Sequence, residues 1–391
     1  MNANWSAIQN KIGLGLITTG LLWAAALPFQ IQAQQSAAAS DPTAVTTPLS
    51  NLRLENGKRD VRQLSGPLTD TVNRWAAATT HAEWLGYSVA EVTGHRSVCC
   101  QNWGRDGSDG CGKCVLEGQK HGIDMSSGDG GAGEIHLEGA RELAVLYRAE
   151  SGKIGQIRVF SVDCTVDAGG LGVVWLQSVQ GADSVNFLER FARLTNTDSS
   201  RGEGISQSAL TAIALHADLA ADRAMESFVG LSEPVSLRRE TAFWLGEARG
   251  AKGLRILQKM AQSDPSPEVR DQVTFALSVS KEPGALPEMI RMAREDQSSH
   301  VRGQALFWLG QKAGEKAAKV ITGSIDTDPD TEVKKKAVFA LSQMPPDQGV
   351  PKLIQVAQTN RNPQVRKEAM FWLGQSHDPQ ALAFFEKVLN Q

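Results

Sequence analysis

Four of the five cysteines lie close together in a glycine-rich segment, and these residues have the greatest capacity for chemistry in this sequence. They are Cys99, Cys100, Cys111 and Cys114. In an oxidising compartment, clustered cysteines most simply form disulfides that pin a loop with little core of its own. The simplest pairing joins Cys99 and Cys100 to Cys111 and Cys114 and leaves Cys164 over in a strand. We therefore treat the four as disulfide candidates.

Two other kinds of chemistry are open to the same segment. Cys99, Cys111 and Cys114, completed by His121, could bind zinc in a tetrahedral site. The Cys111-Gly-Lys-Cys114 spacing could also support thiol redox chemistry. That chemistry needs a helix N-terminus to stabilise the thiolate, and the flanking glycines give little sign of a helix. Disulfides are the preferred interpretation, so we expect no metal ion and no cofactor.

The rest of the sequence shows no catalytic set. No Ser-His-Asp order and no paired-carboxylate motif is visible. The histidines outside the cysteine cluster have no partner that the sequence reveals: His81, His136, His216, His300 and His377. We therefore assign no catalytic residues and expect that the protein is not an enzyme.

The N-terminal segment has the pattern of a signal peptide. Lys11 precedes the 18-residue apolar run Ile12–Phe29, and small residues follow, with cleavage expected after Ala33 or Ala39. The alternative is an uncleaved membrane anchor, because 18 residues reach the lower limit for spanning a bilayer. We assign residues 1–33 to a signal peptide and expect an exported protein, periplasmic or secreted, without a membrane segment after cleavage.

Two regions follow before the C-terminal half. Residues 34–67 are rich in Ala, Ser, Thr, Gln and Pro, which predicts a flexible linker. Residues 68–198 predict a helix, several strands that include a β-hairpin, and a closing helix, with the Cys/Gly-rich loop at 93–139. Strands and helices do not alternate as βαβ units, so we expect a small α+β domain.

The C-terminal half repeats itself. FWLG occurs at Phe243–Gly246, Phe307–Gly310 and Phe371–Gly374, each copy 64 residues after the previous one. Midway between these copies lies FALS, at Phe275–Ser278 and Phe339–Ser342. The underlying period is therefore 32 residues, and a period of this size indicates a repeat array.

Apolar columns give the repeat its secondary structure. The first column is Leu237, Val269, Val301, Val333 and Val365. Further columns follow four, seven and eight residues later, and these offsets fall on one side of an α-helix. An amphipathic helix precedes each of these helices, and turn-forming residues separate the two. Each unit is therefore predicted to be a helical pair.

These motifs resemble the HEAT-repeat superfamily, particularly the short bacterial repeats grouped with phycobilisome-lyase-like HEAT proteins. The resemblance rests on Asp264-Pro265, Val269-Arg270 and Ala276-Leu277, and on their counterparts two units later, Asp328-Pro329, Val333-Lys334 and Ala340-Leu341. It covers residues 205–391 and implies an all-α solenoid after the α+β domain. Three positions depart from the pattern: Ser232, Lys334 and Asn360.

Two more columns have alternative interpretations. A basic column could be an anion-binding ladder: Arg238, Arg270, Arg302, Lys334 and Arg366. We prefer ion pairs with the acids six residues earlier, of the same or a neighbouring unit, because stacked repeats need ties between them. Those acids are Asp264, Asp296 and Asp328. The Phe column could line an inner groove, but packing between repeats is preferred, and the Trp/Ala alternation after it suits interdigitation.

Function is expected to follow from the solenoid. A net charge of −3 gives no field for drawing in nucleic acid. A solenoid presents a long concave face for other macromolecules. We therefore expect a non-enzymatic scaffold or adaptor that binds a protein partner, with no small-molecule ligand. The alternative is a thiol- or zinc-dependent activity in the N-terminal domain, with the solenoid as docking module.

Overall fold

The computed structural model describes residues 52–92, 114–117, 142–162, 164–194, 203–312 and 314–390. The predicted signal peptide lies outside these ranges, as does most of the Cys/Gly-rich loop. Within them, every helix is too short or too polar to cross a membrane.

The N-terminal domain is built on strands that form two sheets. The strands are β1 Arg53–Glu55, β2 Lys58–Gln63, β3 Glu83–Ala90, β4 Cys114–Val115, β5 Glu142–Glu150, β6 Lys153–Ser161, β7 Thr165–Asp167 and β8 Gly172–Gln177. The larger sheet has the order β2-β8-β3-β5-β6, and the smaller has the order β1-β7-β4. The larger sheet is mixed, because β8 runs parallel to β2 and β3 while β5 runs antiparallel to β3 and β6.

Both faces of the larger sheet are buried. On one face, Leu85 and Tyr87 pack beneath two helices, α1 Leu68–Ala78 and α2 Gly181–Ala192. On the other face, Trp84 packs with residues of the smaller sheet. This arrangement confirms the α+β class.

The predicted hairpin is present as β5 and β6. Its turn residues, Ser151 and Gly152, have φ angles of 52° and 79°. Positive φ at both central positions matches the right-handed twist of the flanking strands and closes the hairpin tightly.

The predicted flexible linker at 34–67 is wrong over residues 53–63, where the chain forms β1 and β2. These strands pair in parallel with β7 and β8. Most β2 side chains face solvent, so β2 lacks the alternation of apolar and polar residues from which a strand is predicted. Backbone hydrogen bonds to β8 hold it instead.

Twelve helices follow in the described part of the C-terminal half, most of them in antiparallel pairs. They are α3 Glu203–Leu215, α4 Leu219–Phe228, α5 Val235–Ala248, α6 Gly250–Ser263, α7 Pro267–Val279, α8 Ala285–Glu295, α9 Ser299–Lys312, α10 Glu315–Thr327, α11 Thr331–Ser342, α12 Pro346–Thr359, α13 Pro363–Gln375 and α14 Pro379–Leu389. This run of helices confirms the predicted all-α solenoid.

The first apolar column forms the spine of the solenoid. Val269, Val301, Val333 and Val365 are at most 1% exposed. The same hydrophobic core continues through α3 into the sheet of the N-terminal domain, where α3 packs against α2 and β6. The two regions therefore share one core.

Candidate functional site: the inner helices of the solenoid

The second helix of each unit belongs to one closely packed row, which we call the inner row: α5, α7, α9, α11 and α13. Neighbouring helices of this row are in extensive contact, whereas the first helices of successive units touch one another little. A stack of units curves toward its more closely packed side. The inner row therefore lines the concave face.

The glycine of FWLG permits this close approach. A Cβ atom on Gly246 would lie 2.2 Å from the backbone oxygen of Ala276, and one on Gly310 would lie 2.6 Å from that of Ala340. Both distances are far below van der Waals contact, so only glycine fits. Ala276 and Ala340 belong to FALS, and their small side chains occur where the next helix comes closest. The glycine of each of these FWLG motifs thus packs against the alanine of the FALS motif on the next inner helix, and we call these contacts matched surfaces.

Eight rings form a continuous series along the inner row, which we call the aromatic ladder: Phe243, Trp244, Phe275, Phe307, Trp308, Phe339, Phe371 and Trp372. Phe243 stacks on Phe275 with ring centroids 5.8 Å apart and an interplanar angle of 13°. Phe307 stacks on Phe339 at 5.8 Å and 8°.

The alternate junctions of the ladder use tryptophan. Phe275 contacts Trp308 at 4.8 Å, and Phe339 contacts Trp372 at 4.7 Å, both with tilted planes. Two kinds of junction therefore alternate, Phe on Phe and Phe on Trp. The structural period of the aromatic ladder is two units, which accounts for the 64-residue interval between FWLG copies.

The aromatic ladder packs between repeats and also remains accessible. Its rings are half-buried, and Phe371 is 54% exposed. The column seven residues after the first apolar column alternates between Trp and Ala, and the expectation that it lies on the buried side of the helix is wrong for tryptophan. Ala276 and Ala340 in that column are fully buried, but the indoles are too large for the same space and lie over the preceding Phe ring.

The basic column forms ion pairs with the next unit. Arg302 donates through Nε and Nη2 to the two carboxylate oxygens of Asp328, at 2.8 and 3.0 Å. Arg238–Asp264 and Arg270–Asp296 repeat this bidentate geometry. Of the two pairings that the sequence allowed, the structure adopts the one between neighbouring units.

Each of these arginines also donates a hydrogen bond to the backbone of the turn that precedes its own helix. Nη1 of Arg270 donates to the backbone oxygen of Asp264 at 2.8 Å, and Nη1 of Arg302 donates to that of Asp296 at 2.9 Å. The aspartate hydrogen bonds raise the pKa of both guanidinium groups. Because these forks are occupied, they do not form an anion-binding ladder.

The fourth pair has changed at both ends. Lys334 stands where arginine is expected, and Asn360 stands where aspartate is expected. Lys334 donates to the backbone oxygen of Asp326 at 3.0 Å, while Nη1 of Arg366 still donates to the backbone oxygen of Asn360 at 2.8 Å. The turn is kept, but the bidentate tie between units is absent at this position.

A polar cluster lies beside the aromatic ladder, on three successive inner helices. His300 Nε2 is 3.7 Å from Asp271 Oδ1, and Lys336 Nζ is 3.5 Å from His300 Nδ1. Burial raises the pKa of Asp271, while His300 and Arg239 oppose that shift. The concave face therefore combines aromatic rings with ionisable groups of both signs.

A second polar network joins the solenoid to the N-terminal domain. Ser184 Oγ is 2.8 Å from His216 Nε2 and 2.7 Å from the Tyr87 hydroxyl, which is 2.7 Å from the Tyr147 hydroxyl. His216 Nδ1 lies 2.5 Å from the backbone oxygen of Ala212, so Nδ1 carries the proton and Nε2 accepts. Burial lowers the pKa of His216 to about 4.

This network resembles a serine–histidine pair, but Ser184 and His216 are fully buried. A substrate could not reach them without unfolding of the junction, so the network is a structural joint. Sequence patterns do not reveal it, because its hydrogen-bonded side chains are 32 to 97 residues apart along the chain and lie on a helix end, a second helix and two strands.

The cysteine segment is described only in part. Cys99, Cys100, Cys111 and His121 lie outside the described residues, so the disulfide candidates and the zinc alternative remain predictions. The expectation that Cys164 is left over is wrong, because this buried residue is disulfide-bonded. No metal-binding group of His, Cys, Asp or Glu occurs in the described part of the chain.

Comparison with known proteins supports the repeat assignment. The HEAT-repeat family model matches residues 229–310 and 318–391. No curated protein matches the sequence.

Solved structures that match this chain include human deoxyhypusine hydroxylase in complex with glycerol, at 17% identity and a TM-score of 0.25 over 53% of this chain and 90% of that one. The CpcE–CpcF complex of phycocyanin lyase from Nostoc sp. PCC7120 matches at 20% identity and a TM-score of 0.31, over 40% of this chain and 99% of that one. The Escherichia coli protein YibA matches at 20% identity and a TM-score of 0.35, over 53% of this chain and 79% of that one. The family match identifies residues 229–310 and 318–391 of this chain as HEAT repeats, and these are continuous in structure with a mixed α+β domain.

Proposed function

We propose that this protein is an exported, non-enzymatic scaffold or adaptor that holds a protein partner along the inner row of its solenoid. The observation that carries the proposal is the aromatic ladder, whose rings run across the five helices of the inner row. HEAT repeats in general support the broader conclusion that the solenoid serves protein interaction.

Exposed aromatic rings favour binding because they bury large areas at low cost in side-chain entropy. Tryptophan, tyrosine and arginine dominate the energetics of protein interfaces, and phenylalanine is enriched there. In the aromatic ladder each ring is already fixed by its neighbours, at centroid separations of 4.7 to 5.8 Å. Binding therefore loses little further freedom at these side chains, which is the benefit of preorganisation.

The charged side chains beside the aromatic ladder would fix the position of a partner segment along the inner row more than they would raise its affinity. Asp271 and His300 lie near its middle, with Arg239 toward its N-terminal end and Lys335, Lys336 and Lys367 toward its C-terminal end. A partner segment with acidic residues placed to meet these basic groups would be held in one register along this face. Charged groups at an interface contribute specificity of this kind more than affinity.

Export is part of the proposal. The N-terminal apolar run supports it, and so does the disulfide at Cys164, because disulfides persist mainly in oxidising compartments.

The test is affinity capture from a cell-envelope extract with the full chain, followed by rebinding of the purified partner to variants. Phe275→Ala and Trp308→Ala remove two rings that contact each other and should weaken binding at least tenfold, since such anchors contribute about 2 kcal/mol or more. Leu389→Ala is the matched control, because Leu389 is 83% exposed outside the aromatic ladder.

Equal affinity of the aromatic variants and the control would refute the proposed face. Circular dichroism and thermal unfolding establish that each variant keeps its fold. Turnover of a substrate by the purified protein, lost on Cys111→Ser, would refute the non-enzymatic role.

A further inference from the structure

The N-terminal domain contains an open pocket that the scaffold function does not use. It lies between α1 and the edge of the larger sheet formed by β2, β8 and β3, and has a volume of about 670 Å³. Ligand pockets in proteins commonly have volumes of about 300–1,000 Å³. The pocket is therefore large enough for a small organic molecule.

The packing of α1 explains why the space is open. Leu68, Val72 and Ala76 anchor the helix in the core. The side of the helix and the following turn that face β2 carry mainly small side chains, among them Ala78 and Ala82. These cannot reach across to the edge strand, so a cleft remains above the sheet.

The pocket has an apolar base and an apolar wall. Leu85, Val174 and Leu176 line the base but are at most 3% exposed, so they offer a ligand little surface. The half-buried Trp75 and the exposed Ala78 form the wall, and the indole Nε1 of Trp75 donates to Glu83 Oε2 at 2.7 Å. This bond fixes the ring and engages the one carboxylate that lines the pocket among the described residues.

The rim of the pocket is basic. Arg74 and Arg62 lie there together with His81. Nε of Arg74 donates to the backbone oxygen of Asp70 at 3.3 Å, and its two terminal nitrogens have no partner in the described ranges. Arg62 is partly neutralised by Asp60 at 2.6 Å, so Arg74 is the stronger anchor for an anion.

The local charge supports the same ligand class. Residues 53–74 contain five basic and three acidic side chains, whereas residues 1–200 contain 16 basic and 20 acidic ones. The two arginines of the rim thus belong to a basic segment within a region that is acidic as a whole. Guanidinium groups bind carboxylates through paired hydrogen bonds, and an apolar wall favours a hydrocarbon or ring.

We propose that this pocket binds a small amphiphilic carboxylate, with its carboxylate on Arg74 and Arg62 and its apolar body against Trp75 and Ala78. The proposal revises the expectation from sequence that the protein has no small-molecule ligand. It is independent of the scaffold function, because the pocket and the aromatic ladder lie in different regions of the chain.

The test uses octanoate, 1-octanol and inorganic phosphate as probes of the full-length protein in isothermal titration calorimetry. Octanoate should bind saturably at one site, and phosphate alone should not. Arg74→Gln should weaken octanoate about tenfold, which corresponds to the loss of one charge-assisted contact, and should leave 1-octanol unchanged. Arg255→Gln is the control, because Arg255 is an exposed arginine of the solenoid.

A second pair of variants tests the apolar space. Ala78→Phe places a ring in the pocket and should abolish octanoate binding. Ala77→Phe adds the same ring to the neighbouring exposed position of α1, which does not line the pocket, and should have no effect.

Three results would overturn the proposal: absence of saturable octanoate binding, equal affinity of Arg74→Gln and the original protein, or 1-octanol binding as tight as octanoate. Both arginine variants change exposed side chains, so they remain informative even if Ala78→Phe fails to fold.

Discussion

The solenoid and the α+β domain are stabilised in different ways, and the difference decides what each can do. In the solenoid, the same contacts recur between one unit and the next, from the Arg–Asp pairs to the close packing of glycine against alanine. In the α+β domain, the sheet joins segments more than 100 residues apart, as in the pairing of β2 with β8. The solenoid leaves a long face open, whereas the larger sheet of the domain is covered on both faces and leaves a cleft beside α1.

The comparison predicts that removing one buried ion pair between units should strongly lower the free energy of unfolding of the solenoid. Asp328→Ala removes a carboxylate that is 8% exposed and leaves Arg302 buried without its counter-charge. Breaking a buried pair in this way costs about 3–5 kcal/mol. Urea unfolding should show this loss, and hydrogen exchange should place it in α9 to α11. A loss below about 1 kcal/mol would contradict the role of this pair.

His216, at the junction between the two regions, should make the free energy of unfolding depend on pH. His216 is neutral in the folded protein because burial lowers its pKa from 6.5 to about 4, so the unfolded chain binds more protons between these values. Its contribution is therefore complete above pH 6.5 and is lost as the pH falls toward 4. The loss is on the order of 3 kcal/mol.

The measurement for this joint is the free energy of unfolding from pH 7.5 to pH 4, compared with His216→Gln. The variant should lack the histidine-dependent part of the decline. The same pH dependence in both proteins would show that His216 is not the titrating joint.

A pair of glycines sharpens the idea of matched surfaces. Gly310→Ala should cost about 1–3 kcal/mol, because its Cβ would overlap the backbone oxygen of Ala340. Gly374 occupies the same place in the third FWLG copy, and no atom lies within 4 Å of a Cβ there. Gly374→Ala should therefore stabilise the helix by up to about 1 kcal/mol. Thermal unfolding of the two variants should shift in opposite directions, and equal shifts would contradict the matched-surface account.

The smallest expected effect concerns the altered fourth pair. The double variant Lys334→Arg/Asn360→Asp restores the residues of the other pairs and should stabilise the solenoid by about 1 kcal/mol beyond the sum of the single changes. A double-mutant cycle in urea measures this coupling. A coupling near zero would show that the geometry at α11 and α13 does not admit a bidentate pair.

The solenoid could be predicted well because its information is local and repeated. The 32-residue period, the buried column from Leu237 to Val365 and the acid–base ties are all visible in the sequence. The partner of each arginine was less certain, because spacing alone allows Asp264 of the same unit or Asp296 of the next for Arg270. Only the stacking distance between units decides between them.

The α+β domain could be predicted only where its elements are amphipathic or form hairpins. β2 was missed because its side chains face solvent and its partner β8 is more than 100 residues away. The joint at His216 was missed for the same reason, since a lone histidine carries no sign of Ser184 or Tyr87. The pocket beside α1 exists because small side chains leave space between the helix and the sheet. Sequence patterns indicate which residues pack together but not where such a gap remains.

Residue-resolved carbene footprinting of the full-length protein, with and without its purified partner, tests the central claim most directly. The account predicts that labelling of Phe275, Trp308 and Phe339 falls several-fold on binding while exposed residues of the outer helices keep their labelling. Protection confined to the outer helices, with these three rings labelled as strongly as before, would contradict it.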